Sequence, residues 1–268
     1  MSNQFLLNHL ATFSIAGPDA RSYAQSQFTV DVDRLSGDVW SPLAWCDPKG
    51  RVLSIMMARA SEQGVDLVLP AAQCESIREG LRRFTIGRRV DLSEGGPVSG
   101  VFDGPGEASP LAFDPGRGLL NGVAAPGDAA ALRQWRRLDL CQGLPWLEPE
   151  SSGQHLPQWL GLEELGALVY DKGCYPGQEV IARLHYRGTV KYHLAGLEIA
   201  AAEAIDAHSR ITDAAGAAVG HWLGGMTLDN ATIGLAVLAT RMEAGDTVQV
   251  SSGEHAHSAR VTPPETLC

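Results

Sequence analysis

The stretch that most constrains this chain is Lys172-Gly173-Cys174-Tyr175-Pro176-Gly177-Gln178-Glu179, continuing through Val180-Ile181-Ala182-Arg183 to Arg187-Gly188. Gly173 and the Pro176-Gly177 pair force a tight turn. The residues from Gln178 to Arg187 then read as a short helix closed by Gly188. Cys174 therefore sits just ahead of a helix start, where unpaired backbone N–H groups, the helix dipole and Lys172 favour a thiolate over a thiol. Glu179 and Arg183 lie four apart, as do Arg183 and Arg187. This spacing predicts an ion pair and a basic stripe opposite the apolar Val180, Ile181 and Leu184. The plainer alternative is a buried free cysteine in a turn, with solvated charges on the helix beyond it.

Composition narrows what such a turn can serve. With 268 residues, 44% apolar and 19% charged, the chain can bury a sizeable core. Its net charge of -10 and pI near 5.2 argue against a broad basic face for nucleic acid. The opening Met1-Ser2-Asn3-Gln4-Phe5 has no signal-peptide pattern and no apolar run reaches the length of a membrane span, so a cytoplasmic location off the membrane is expected. The cysteines at 46, 74, 141, 174 and 268 contain no C-x-x-C pair, which predicts neither a disulfide framework nor a preformed metal or cluster knuckle. A metal or cluster would have to be held by few ligands or shared with a partner. His255-Ala256-His257 reads as an exposed strand edge, and no resident metal site is expected.

Along the chain, Phe13 to Ile15 reads as a strand and Gly17-Pro18-Asp19 as a helix start leading into 20–27. Trp45-Cys46-Asp47-Pro48-Lys49-Gly50-Arg51 reads as a hairpin turn before an apolar strand over 52–58 suited to burial on both faces. A strand over 64–69 precedes a helix over 71–84, with Cys74, Ile77, Leu81 and Phe84 on its core side. Arg78, Arg82, Arg83, Arg88 and Arg89 then form a basic cluster, either a solvated face or a contact for an anion or an acidic partner. From 93 to 128 the chain reads as short strands and loops, and helix returns over 129–136. Leu168-Val169-Tyr170 reads as a strand. Beyond Gly188, strands over 189–197, 217–221, 232–238 and 247–251 suggest a small barrel or sandwich. Hydrolase and nucleotide-binding loops of the G-x-S-x-G, Walker A and G-x-G-x-x-G types are missing. A nucleophilic pair of Cys174 with His185 or His155 stays open.

The run Lys172 to Glu179 with Arg183 and Arg187-Gly188 resembles the K-G-C-[YF]-x-G-Q-E…R…R-G signature of the YgfZ family. That family binds folate, is related to the T-protein (aminomethyltransferase) of glycine cleavage, and includes a mitochondrial factor acting late in 4Fe–4S cluster maturation. Asp47-Pro48-Lys49-Gly50-Arg51 resembles the family's D-x-K-G-R turn. Gly17 and Asp19, with Gln25 or Gln27 and Thr29-Val30-Asp31-Val32, resemble its opening, and Leu156-Pro157-Gln158 and Leu138 to Pro145 resemble two further segments. Gly161 replaces an asparagine, Cys141 stands where many relatives carry an acid whose role is either missing here or filled by Asp139, and Ile77 falls near the T-protein's catalytic aspartate.

The resemblance implies an α+β, T-protein-like folate-binding fold. Two α+β subdomains would span 1–188, with an irregular stretch over 93–128, and a small C-terminal β-barrel would span 189–268. It further implies tetrahydrofolate or a one-carbon derivative as cofactor, with a transient iron–sulfur cluster on Cys174. Partners would be folate and iron–sulfur carrier or client proteins, and the protein would be a monomer without direct nucleic-acid contact. Cys174 would be the reactive group and Lys172 the neighbour lowering its pKa. Lys49, Asp31, Tyr175, Gly177, Gln178, Glu179, Arg183 and Arg187 would hold the cofactor. The function so implied is an accessory role in iron–sulfur cluster assembly or repair. The alternative is a folate-dependent one-carbon (aminomethyl-type) transferase, against which the missing aspartate counts.

Overall fold

The computed structural model describes residues 4–102, 108–207, 209–253 and 255–268, and part of the 93–128 stretch, residues 103–107, lies outside them. In chain order the strands are β1 (Gln4–Leu6), β2 (Leu10–Ala16), β3 (Ser41–Cys46), β4 (Val52–Ser61), β5 (Gly64–Pro70), β6 (Asp91–Glu94), β7 (Val98–Phe102), β8 (Ser109–Leu111) and β9 (Asp114–Asn121). They are followed by β10 (Tyr192–Ile199), β11 (Arg210–Thr212), β12 (Ala218–Thr227), β13 (Thr232–Ala239), β14 (Thr247–Ser252) and β15 (His255–Thr262). The α-helices are α1 (Ala20–Gln25), α2 (Cys74–Arg82), α3 (Ala129–Cys141) and α4 (Gln178–Arg187).

Three antiparallel sheets result. The first has the order β3-β4-β5-β2-β6 and the second β1-β7-β9-β8, while the third is a closed barrel, β10-β13-β12-β11-β14-β15. The fold is thus α+β with the barrel that the sequence suggested. Strand β11 leaves no signal in the sequence because it has only three residues, and of β15 only the start, the strand edge read at His255-Ala256-His257, is legible because its alternation in polarity is weak.

The apolar runs of β3 and β4 serve two cores at once. Successive side chains of a strand point to opposite faces. Ala44, Cys46, Ile55 and Met57 enter a central core, and Leu43, Trp45, Met56 and Ala58 enter a second core with α1 and α2. The central core is shared among all three sheets. It also takes Trp135 and Cys141 from α3, Tyr175 and Ile181 from the signature, and Leu223, Ile233, Leu235 and Val237 from the barrel.

Several expectations are corrected. The helix expected over 71–84 is a 3-10 turn at Ala71–Gln73 followed by α2, and Cys74 is half-buried. Helix α3 runs on to Cys141, five residues past the reading, since Trp135, Asp139 and Cys141 continue its buried face. Leu168–Tyr170 forms no strand: it is an irregular run pinned where Thr29 Oγ1 donates to Ala167 O (2.6 Å) and Val169 N donates to Thr29 O (3.1 Å). The cysteines include one disulfide, Cys141–Cys268, with Cα atoms 5.5 Å apart. Their 127-residue separation leaves no local spacing from which to read it. The arginine cluster is largely self-neutralised, Arg78 pairing with Glu75 and Glu94, Arg82 with Glu79 and Arg89 with Asp19. The carboxylate of Asp19 serves Arg89 in place of capping α1.

Candidate functional site

The two signature turns are built against each other. In the first, Asp47 Oδ1 accepts from the backbone N–H groups of Lys49 and Arg51, each at 2.8 Å, and Gly50 N donates to Asp47 O at 2.9 Å. In the second, Gly177 adopts φ +81° immediately before α4. A Cβ on Gly177 would lie 2.5 Å from both Asp47 O and Gly50 Cα, so glycine is required by conformation and by space alike. Glycine at 50, φ +76°, returns the contact against Ile181 and Val180. The structure thereby brings Lys49 and the Cys174 turn together.

Lys172 does something other than face the thiol. Its ammonium donates all three hydrogens to carbonyls of one loop: Gln25 O (2.8 Å), Phe28 O (2.6 Å) and Val30 O (2.6 Å). That loop is shaped by Asp31. Gln25 Nε2 donates to Asp31 Oδ1 (3.0 Å), Val32 N donates to Gln25 Oε1 (2.7 Å), and Arg34 pairs with Asp31 at 3.1 Å. Burial lowers the Lys172 pKa to about 8 against the opposing pull of Asp31 and Asp33. Its ammonium also lies 5.2 Å from the Tyr175 ring. Tyr175 is buried in the central core, its hydroxyl without a partner and its pKa raised by burial.

Between these two anchored residues the chain turns outward, and Cys174 is exposed. Gln178 Nε2 closes the turn by donating to Lys172 O at 3.3 Å. On α4 only Ile181 is fully buried, while Val180 joins Glu179, Arg183 and Arg187 on the exposed side, which corrects the expected apolar stripe. No salt bridge joins Glu179 to Arg183 among the described residues. His185 stacks on Tyr170 with centroids 3.8 Å apart, and His155 packs toward Trp159. Gln158, given no site role from sequence, ties α4 down by donating to Ile181 O at 2.9 Å.

A cavity of about 780 Å³ lies elsewhere, where the first sheet, α3 and the barrel meet. Its wall includes His9, Arg136, Leu140, Trp146, Met226 and Leu235. Both ring nitrogens of His9 are buried without partners, and burial, aided by Arg136, lowers its pKa to about 4. Asp139 also borders the cavity but is committed to Arg117 (2.6 Å) and the Trp146 indole N–H (2.9 Å). None of the ten sequence-predicted site residues borders this cavity. Asp31 borders a separate cleft of about 530 Å³ with Arg34, Tyr170, Asp171 and Tyr186. The cavity residues carry no sequence signal because they come from six separate segments with no common motif. The described residues hold no group of three or more His, Cys, Asp or Glu placed to hold a metal ion.

Comparison with known proteins gives the site its context. No family model matches the chain. An uncharacterized protein of Haemophilus influenzae is 32% identical over 203 residues, 71% of each chain. The tRNA-modifying protein YgfZ of Hamiltonella defensa is 28% identical over 225 residues, 69% of this chain and 67% of that one. The protein of the same name from Klebsiella pneumoniae is 27% identical over 222 residues, 69% of this chain and 68% of its own. Among solved structures, the glycine cleavage system aminomethyltransferase T of Bartonella henselae superposes with a TM-score of 0.71 at 14% identity, covering 98% of this chain and 85% of that one, a likeness of fold. With its signature turn, its T-protein fold and these relatives, the chain belongs to the YgfZ family.

Proposed function

We propose that this protein binds tetrahydrofolate, or a one-carbon derivative of it, in the 780 Å³ cavity, and that it is an accessory protein in assembly or repair of iron–sulfur clusters in cytoplasmic client enzymes. Cys174 is the thiol offered to the client or its cluster. The observation that carries this reading is the pairing of an exposed thiol on a rigidly anchored turn with a separate cavity where the first sheet, α3 and the barrel meet.

The cavity suits the ligand. Its volume is in the range of small-molecule sites. Neutral His9 offers one donor and one acceptor that nothing else uses, Arg136 offers a cation for a carboxylate, and Trp146, Leu140 and Leu144 offer apolar surface for a flat ring. Asp139 is already occupied and serves by positioning Trp146. Tetrahydrofolate, when bound, supplies amine nitrogens able to carry a one-carbon unit. In this reading Lys172, Tyr175, Gly177 and Gln178 hold the thiol's turn, Asp31 shapes the loop that receives Lys172, and exposed Lys49, Glu179, Arg183 and Arg187 face the partner.

A transferase reading is less favoured, because Ile77 is buried in the second core where a catalytic carboxylate would be needed. Glu75 and Glu79 nearby are exposed and paired with arginines. The name tRNA-modifying carried by the relatives fits an indirect route, in which a client iron–sulfur enzyme acts on the RNA. A chain with net charge -10 is poorly suited to hold RNA over a broad face.

The test measures folate affinity of the wild type and Cys174→Ala, together with the activity of a cytoplasmic 4Fe–4S enzyme in cells carrying each form. Folate binding by both forms, with cluster activity restored by the wild type alone, is the expected result. Absence of folate binding, with full cluster-enzyme activity in cells lacking the protein, would overturn the reading.

A further inference from the structure

The disulfide joins two places that matter to the cavity wall. Helix α3 gives Arg136, Asp139 and Leu140 to that wall, and the turn after it gives Leu144 and Trp146. Cys141 is the last residue of α3 and is buried. Its partner Cys268 follows the 3-10 turn Pro264–Leu267, which packs against the same helix. Leu267 is buried in the central core, Arg137 Nε donates to Leu267 O at 3.1 Å, and a Cβ on Gly143 would stand 3.7 Å from Pro264 Cβ. The segment after β15 is therefore seated on the end of α3, and the bridge fastens it there. The two residues differ in exposure, Cys268 being exposed and Cys141 buried. The other cysteines, at 46, 74 and 174, are free thiols.

We propose that Cys141 and Cys268 are a reversible redox modification site, a staple that a soluble dithiol opens at the exposed residue Cys268 and whose state sets how firmly the 263–268 segment braces the cavity wall. In the opening reaction a thiolate of the dithiol attacks Sγ of Cys268, the Sγ–Sγ bond breaks, and Cys141 leaves as thiolate and takes a proton. The second thiol of the reagent then attacks the mixed disulfide and releases Cys268 as a thiol. The protein disulfide gains two electrons and two protons, and the dithiol becomes a cyclic disulfide. The same exchange run backwards by a disulfide oxidant closes the staple. The effect on ligand rests on the folate reading of the cavity, whereas the exchange itself and the bracing of α3 do not.

The full chain would be equilibrated with reduced or oxidised dithiothreitol, its free thiols alkylated and its peptides mapped. Amide hydrogen exchange and 5-formyltetrahydrofolate affinity would be measured in each state. Oxidised protein is expected to yield a linked Cys141–Cys268 peptide. Reduction is expected to speed exchange over 136–147 and 263–268 at least tenfold, with β2 and β5 unchanged, and to weaken the folate at least threefold. Cys268→Ser should behave as the reduced protein under both conditions. Failure of the pair to link, or equal exchange in the two states, overturns the staple. Equal folate affinity in both states overturns its coupling to the cavity. If neither state binds the folate, the reading of the cavity fails while peptide mapping and exchange still decide the staple.

Discussion

Lys172 shows how a residue's chemistry depends on what it touches. With all three N–H groups spent on the carbonyls of Gln25, Phe28 and Val30, its charge ties the signature to the 25–34 loop. Lys172→Met removes those donors and leaves three carbonyls to be satisfied elsewhere. The expected loss, read by urea denaturation, is about 3 kcal/mol, since each bond to a charged donor contributes roughly 1.5–3 kcal/mol and neighbouring water recovers part of it. A lysine acting only to lower the Cys174 pKa would instead leave stability intact and slow alkylation of the thiol. His9 allows a pH prediction of defined sign. Its pKa falls from 6.5 to about 4 on folding, so the neutral ring contributes stability fully present above pH 6.5 and lost as the pH drops toward 4. The contribution is at most about 3 kcal/mol. His9→Phe should flatten that part of the stability–pH curve, and an unchanged slope between pH 6.5 and 4 would place the effect in other groups.

At the scale of elements, the packed pair of turns is what aims Cys174. Gly177→Ala forces a left-handed backbone on a residue with a Cβ and drives that Cβ to 2.5 Å from Asp47 O and Gly50 Cα. Backbone strain of about 1–3 kcal/mol is expected before the clash is counted. Gly173→Ala meets nothing within 4 Å and should change stability little. If the two substitutions prove equal in denaturant midpoint, the turns do not depend on this contact. Both glycines were visible in the sequence, as were α4 and its closing Gly188, because Gly-Pro punctuation and helical spacing are local signals. Which glycine is indispensable was not, since only the fold brings residue 50 against residue 177. The strand expected at Leu168–Tyr170 failed for a related reason: apolar residues can be buried by a single pinned run as well as by a sheet, and Thr29, more than a hundred residues earlier, made the difference. The cavity left still less trace, its wall being assembled from strand ends, α3 and barrel loops.

For the whole molecule, the decisive arrangement is one central core shared by three sheets, with a cavity where the first sheet, α3 and the barrel meet and a thiol on a separate turn. A ligand in that cavity touches the first sheet, α3 and the barrel at once, so its binding energy should appear as protection spread across the chain. At a free concentration one hundred times its dissociation constant, the gain is about 2.7 kcal/mol. With 5-formyltetrahydrofolate bound, amide exchange is expected to slow together around 70–72, 136–150, 205–207 and 223–226, the segments that border the cavity. The alkylation rate of Cys174 should stay within about twofold of the free protein, because the thiol's turn contributes no residue to that wall. Protection confined to 172–187, with alkylation of Cys174 suppressed, would instead move the folate to the signature itself. The residues read from the sequence as cofactor ligands would then hold it directly, and the large cavity would need another occupant.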